Sequence, residues 1–73
     1  TTPASYPTFR GISNESVTLV YDNGLSQVIT FNERGEATVK PYGRTIIKVG
    51  DRDLSAAPII ISQMYVDLRD YLT

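Results

Sequence analysis

From Gly11 to about residue 50, apolar and polar residues alternate with a period of two, and glycine interrupts the alternation at short intervals. In Ser16–Tyr21, Val17, Leu19 and Tyr21 fall on one face of a segment rich in β-forming residues. Asp22-Asn23-Gly24 follows, and Asn and Gly tolerate the positive φ of a tight hairpin turn. Ser26–Phe31 is the expected return strand, with Ile29 and Phe31 on one face and Val28 on the other. Asn32-Glu33-Arg34-Gly35 makes the next turn and leads into a short strand, Glu36–Lys40, in which Ala37 and Val39 alternate. Pro41-Tyr42-Gly43-Arg44 turns again, and Thr45–Val49 is a further strand ended by Gly50-Asp51. Glycines at 24, 35, 43 and 50 give the rhythm of a β-meander or small barrel.

The two ends read differently. Pro3 and Pro7 fix φ and remove backbone donors, so residues 1–10 are expected to form an extended N-terminal arm, pinned by Tyr6 and Phe9 to a single β-rich domain over residues 11–73. Toward the C-terminus, Ile61, Met64, Tyr65, Leu68, Tyr71 and Leu72 share one face at helical spacing. Ser55 is a candidate cap with Pro58 in the first turn; a second arrangement places a short strand at Ile59–Ile61 and uses Ser62 as the cap. Val66 does not fit the helix; it fits a strand in which Met64, Val66 and Leu68 share a face. The fold expected is mainly β, a small antiparallel meander or barrel-like sheet of about four to five strands with a short C-terminal helix.

Length sharpens this picture. A chain of 73 residues supports one core, and a domain of that size buries only about 60% of its unfolded surface. There is no cysteine to staple it and no histidine, so only oxygen ligands remain for a metal. Good packing, or association with another protein chain (a second copy or a different subunit), remains as the route to added stability. Net charge is −1 but unevenly spread: one arginine against three acids in residues 1–33, four cations against one acid in 34–50, and two against four in 51–73. No basic stretch followed by an apolar run marks a signal peptide, and Ala56–Ile61 is far shorter than the roughly 20 residues that cross a bilayer. No membrane partner is therefore expected, and the location expected is intracellular or within a viral particle.

Catalytic chemistry finds little to work with. General acid–base catalysis draws most often on histidine, which is absent. Asp51 and Asp53 are the closest carboxylates and read as a polar turn balanced by Arg52; as a calcium loop they fail, because Ser55 stands where a third ligand is needed and no closing Glu follows. No Ser-x-x-Lys, Walker or Gly-x-Gly-x-x-Gly pattern occurs, so no catalytic residue, metal or cofactor is assigned. Asn14-Glu15-Ser16 matches the glycosylation acceptor pattern and is read as a loop bonded to its own backbone.

Two contact surfaces remain. Five tyrosines, two phenylalanines and the Ile59–Ile61 run exceed what one small core easily hides, which points to protein contact through Tyr6, Phe9, Ile59, Ile61, Met64, Tyr65 and Tyr71. The alternative is single-stranded nucleic acid bound by a basic hairpin carrying Arg34, Lys40, Arg44 and Lys48 with Tyr42 at its tip. The function expected is a non-catalytic structural or interaction module, such as a viral or phage particle component or a small protein-binding inhibitor.

Overall fold

A computed structural model describes residues 6–62 and 65–72. Among the described residues, eight short strands form two sheets, and the pairs are antiparallel with one exception. The larger sheet is built on the hairpin of β2 (Ser16–Tyr21) and β3 (Ser26–Thr30), in which Val17 faces Ile29 and Leu19 faces Gln27. Gly24 takes a φ of 88° in its turn, and the Tyr21 N–H donates to the Leu25 carbonyl at 2.8 Å. On its other side β2 pairs with β5 (Thr45–Val49), and along the far edge of β5 lie β6 (Arg52–Asp53) and β7 (Ile59–Ile60). The smaller sheet has β1 (Thr8–Arg10) at its centre, between β4 (Glu36–Thr38), antiparallel, and β8 (Tyr65–Asp67), parallel. The sheets do not close into a barrel; they are two open layers that share one core.

That core follows the alternation. Val17, Leu19 and Tyr21 of β2, Ile29 of β3 and the adjoining Phe31 turn inward, and Val28, between them in sequence, is 67% exposed. Burial of such side chains is the main stabilising term, each contributing about 1.5–3 kcal/mol. β5 departs from simple alternation, because Ile46 and Val49 are both buried although three residues apart. The pairing explains it: Leu19 and Val20 face Val49 and Lys48, but Tyr21 faces Ile46, so Ile47 is an extra residue in a β-bulge. The buried Tyr21 side chain carries a hydroxyl, and it donates to Gln27 Oε1 at 2.7 Å. Burial holds that phenol above the ordinary tyrosine value.

Three expectations need correction. The segment with Pro7 is not a peripheral arm from Thr8 onward: Phe9 is 0% exposed, and it faces Ala37 on one side and Val66 on the other. Pro7 precedes the strand, where a missing donor costs nothing, and residues 1–5 lie outside the described residues. Second, β4 and β5 do not form a hairpin. Pro41 lacks the N–H that would extend a ladder, so the chain leaves β4 and crosses to the other sheet. Third, the C-terminal helix shrinks to one 3₁₀ turn over Arg69–Tyr71. The strand alternation wins there, with Val66 and Leu68 both buried, because the free edge of β1 accepts β8, and the Leu68 N–H continues the pairing to the Arg10 carbonyl at 2.8 Å.

Candidate protein-docking surface

β7 and β8 end up at one side of the molecule because each finishes a different sheet: β7 adds to β5 and β8 adds to β1. Between them opens a groove of about 240 Å³, lined by Ile59, Ile60, Tyr65, Val66, Asp67 and Tyr71. Strand alternation turns Ile59 partly toward the core and leaves Ile60 66% exposed. In the same way Val66 is buried and Tyr65 is 62% exposed. Two large apolar side chains are thus held on short, paired strands with their surfaces in solvent. Tyr71, on the 3₁₀ turn, packs against the core and forms one wall.

The wall is braced from two directions. The Arg52 guanidinium lies 5.7 Å from the centre of the Tyr71 ring, within cation–π range. Arg52 and Tyr71 also line a second depression of about 410 Å³, with Asp51 and Gly50 at its rim. At the start of the turn, the Asp67 carboxylate accepts from the Arg69 side chain at 2.7 Å and from the Arg69 backbone N–H at 2.9 Å. These bonds hold the Asp67 carboxyl down to about 2. Both side chains stay about half in solvent, so the pair adds little to global stability.

The sign of its pH dependence is still defined. A carboxyl lowered on folding contributes stability that is complete above its unfolded value, near 4, and that fades as pH falls toward about 2. The Asp67 carboxyl carbon is therefore expected to titrate by NMR with a midpoint of about 2, below that of an unpaired aspartate, with the Arg69 amide moving in step. A midpoint near 4 would show the pair to be unformed in solution.

The structure gathers some of the residues singled out by sequence and disperses others. Ile59, Tyr65 and Tyr71 line one groove. Ile61 is partly buried against the core, with its N–H donating to the Arg44 carbonyl at 2.7 Å. Phe9 is wholly internal, so it cannot offer a surface. Tyr6 is exposed just ahead of β1, and Met64 lies outside the described residues. Ile60 was not singled out, although the Ile59–Ile61 run contains the signal: in a run of three apolar residues on extended backbone, alternation must send at least one outward.

The basic residues are spread over the body. Lys40, Tyr42 and Arg44 lie beside the β2–β3 turn, where Asn23 Nδ2 donates to the Tyr42 carbonyl at 2.9 Å and the Tyr42 and Tyr21 rings stand 6.3 Å apart. The Asp22 N–H bonds the Thr45 carbonyl, which brings an acid to the same end. Arg34 sits in the turn at the opposite end of the hairpin, roughly 20 Å away by the rise of a six-residue strand. Lys48 stands opposite Asp53 on β5 and β6, and the Asp53 carboxyl is lowered mainly by hydrogen bonding from Ser55, with Lys48 adding to it. Among the described residues no three acidic side chains converge as metal ligands. Comparison with protein-family models, with curated proteins and with solved structures found no match.

Proposed function

We propose that this chain is a non-catalytic protein-interaction module, a subunit of a larger assembly such as a virus or phage particle, or else a small inhibitor that seats on another protein. The observation that carries this reading is the pair Ile60 and Tyr65, both mostly exposed, on opposite sides of the groove between β7 and β8. Large apolar side chains on rigid strands lose little conformational entropy on burial, and tyrosine keeps a polar tip for the rim of an interface. The absence of histidine and cysteine supports a role without proton-transfer or thiol chemistry. Nucleic-acid binding is the weaker reading, because Arg34 and Lys48 stand apart from the cluster of Lys40, Tyr42 and Arg44.

The test is native mass and stoichiometry in the source from which the protein comes. The chain is expected in a complex of fixed composition, well above its own 8.1 kDa, and the double variant Ile60→Ser, Tyr65→Ser is expected to be released from it while keeping its melting temperature. A wild-type chain recovered only as a free monomer would overturn the reading.

A further inference from the structure

Among the described residues, the free edge of β3 differs from those of β4, β6 and β8 in carrying no charge, and from that of β7, which has two residues and follows Pro58, in its length. β4 begins at Glu36, β6 consists of Arg52 and Asp53, and β8 ends at Asp67. Sheet edges are ordinarily protected from pairing by such charges, by proline or by a bulge. From Leu25 to Phe31 there is no ionisable residue and no proline, and the register with β2 is continuous. Among the described residues β3 pairs with β2 alone.

Which groups face outward follows from the ladder. The Tyr21 N–H bonds the Leu25 carbonyl and the Phe31 N–H bonds the Glu15 carbonyl. In an antiparallel pair, direction alternates residue by residue, so 25, 27, 29 and 31 point their backbone groups at β2, and Ser26, Val28 and Thr30 point theirs away from the sheet. These three are also the exposed side chains of the strand, with Val28 at the midpoint.

We propose that β3 pairs antiparallel with β3 of a second copy of this chain, across a two-fold axis at Val28. The occupant is a second copy because the edge is self-complementary. Rotation about Val28 sets Ser26 opposite Thr30 of the partner subunit, and Thr30 opposite Ser26 of the partner subunit. All three outward residues then exchange their N–H and C=O groups, making about six backbone hydrogen bonds. Hydroxyl pairs of this kind already tie strands within the molecule: Ser16 to Thr30 at 3.0 Å and Thr8 to Thr38 at 2.9 Å. Valine stands against valine at the centre, an apolar β-branched contact suited to a cross-strand pair. A net charge of only −1 leaves little long-range repulsion between copies. The segment after β4 does not occupy this edge: the Lys40 carbonyl accepts from the Gln27 side chain, which lies on the inward-turned set of residues. The pairing uses a different surface from the Ile60–Tyr65 groove and stands or falls independently of it.

The experiment is sedimentation equilibrium of the whole chain from about 10 µM to 1 mM, with amide hydrogen exchange at both ends of that range. A reversible species of twice the 8.1 kDa monomer mass is expected, and the Ser26, Val28 and Thr30 amides become protected as the concentration rises. Val28→Lys places two ammonium groups face to face at the axis; it is expected to remain a monomer throughout while melting as the wild type does, since that side chain lies outside the core. Ile60→Ser with Tyr65→Ser is expected to dimerise normally. A wild type that stays monomeric at 1 mM, a Val28→Lys protein that still dimerises, or a dimer lost only in the Ile60/Tyr65 variant would each overturn the proposal.

Discussion

Phe9→Ala is expected to lower the folding stability of the domain by about 3–5 kcal/mol. The ring is 0% exposed on the central strand of the smaller sheet, facing Ala37 and Val66. Truncating a buried phenylalanine costs about 3–5 kcal/mol, through lost transfer energy and the cavity left behind. A domain of 73 residues, at roughly 0.05–0.15 kcal/mol per residue, has about 4–11 kcal/mol in all, so the loss is a large share of it. Far-UV circular dichroism and a urea titration would read the loss, with Phe9→Leu as a milder companion that should fold with a lower midpoint. If Phe9→Ala melted like the wild type, β1 would be the detachable arm that the prolines suggest in sequence, and the two-layer core would be wrong.

Gly35→Ala should cost about 2–4 kcal/mol, well beyond the effect of the same change at Gly24. Both glycines adopt positive φ, 78° and 88°, where any side chain adds about 1 kcal/mol of backbone strain. Their surroundings separate them. A Cβ at Gly24 meets nothing within 4 Å, so Gly24→Ala should lose the strain alone. A Cβ at Gly35 falls 2.7 Å from the Gly11 carbonyl oxygen, and that backbone cannot swing aside cheaply. The Gly11 N–H donates to the Gly35 carbonyl at 2.8 Å, and Asn32 Oδ1 accepts from the Arg34 and Glu36 amides, so the turn is tied to the end of β1 and the start of β4. Denaturant midpoints for the two variants give the comparison directly. Equal losses would mean that the 32–35 turn does not touch residue 11 in solution.

The parts of the fold that sequence made readable are those in which a local rule fixes the outcome. In the β2–β3 hairpin, period-two alternation and Asn-Gly turn chemistry agree, and Val17, Leu19, Tyr21, Ile29 and Phe31 all turn inward. Long-range pairing was not readable. Nothing local tells Glu36–Thr38 to join Thr8–Arg10 rather than Thr45–Val49, or tells residues 65–67 to add to β1 in parallel. At the C-terminus two periodicities overlap, and Leu68 satisfies both; tertiary pairing decided between them. The docking groove was half readable for the same reason. Ile59, Tyr65 and Tyr71 stood out as surplus apolar residues, but Phe9 belonged to the same surplus until the sheet closed over it. Composition counts such residues without locating them.

The extra residue at Ile47 has a consequence for how the chain can change. Ile46 serves one end of β5 and Val49 the other, and they reach the same side only because the strand slips half a period between them. Deleting Ile47 would therefore give plain one-to-one pairing, with Leu19, Val20 and Tyr21 against Val49, Lys48 and Ile46, and would leave Ile46 and Val49 both turned inward. The same loss within the regular alternation of β2 would turn one end of that strand inside out. A one-residue deletion is thus expected to be tolerated better at 47 than anywhere in Ser16–Tyr21.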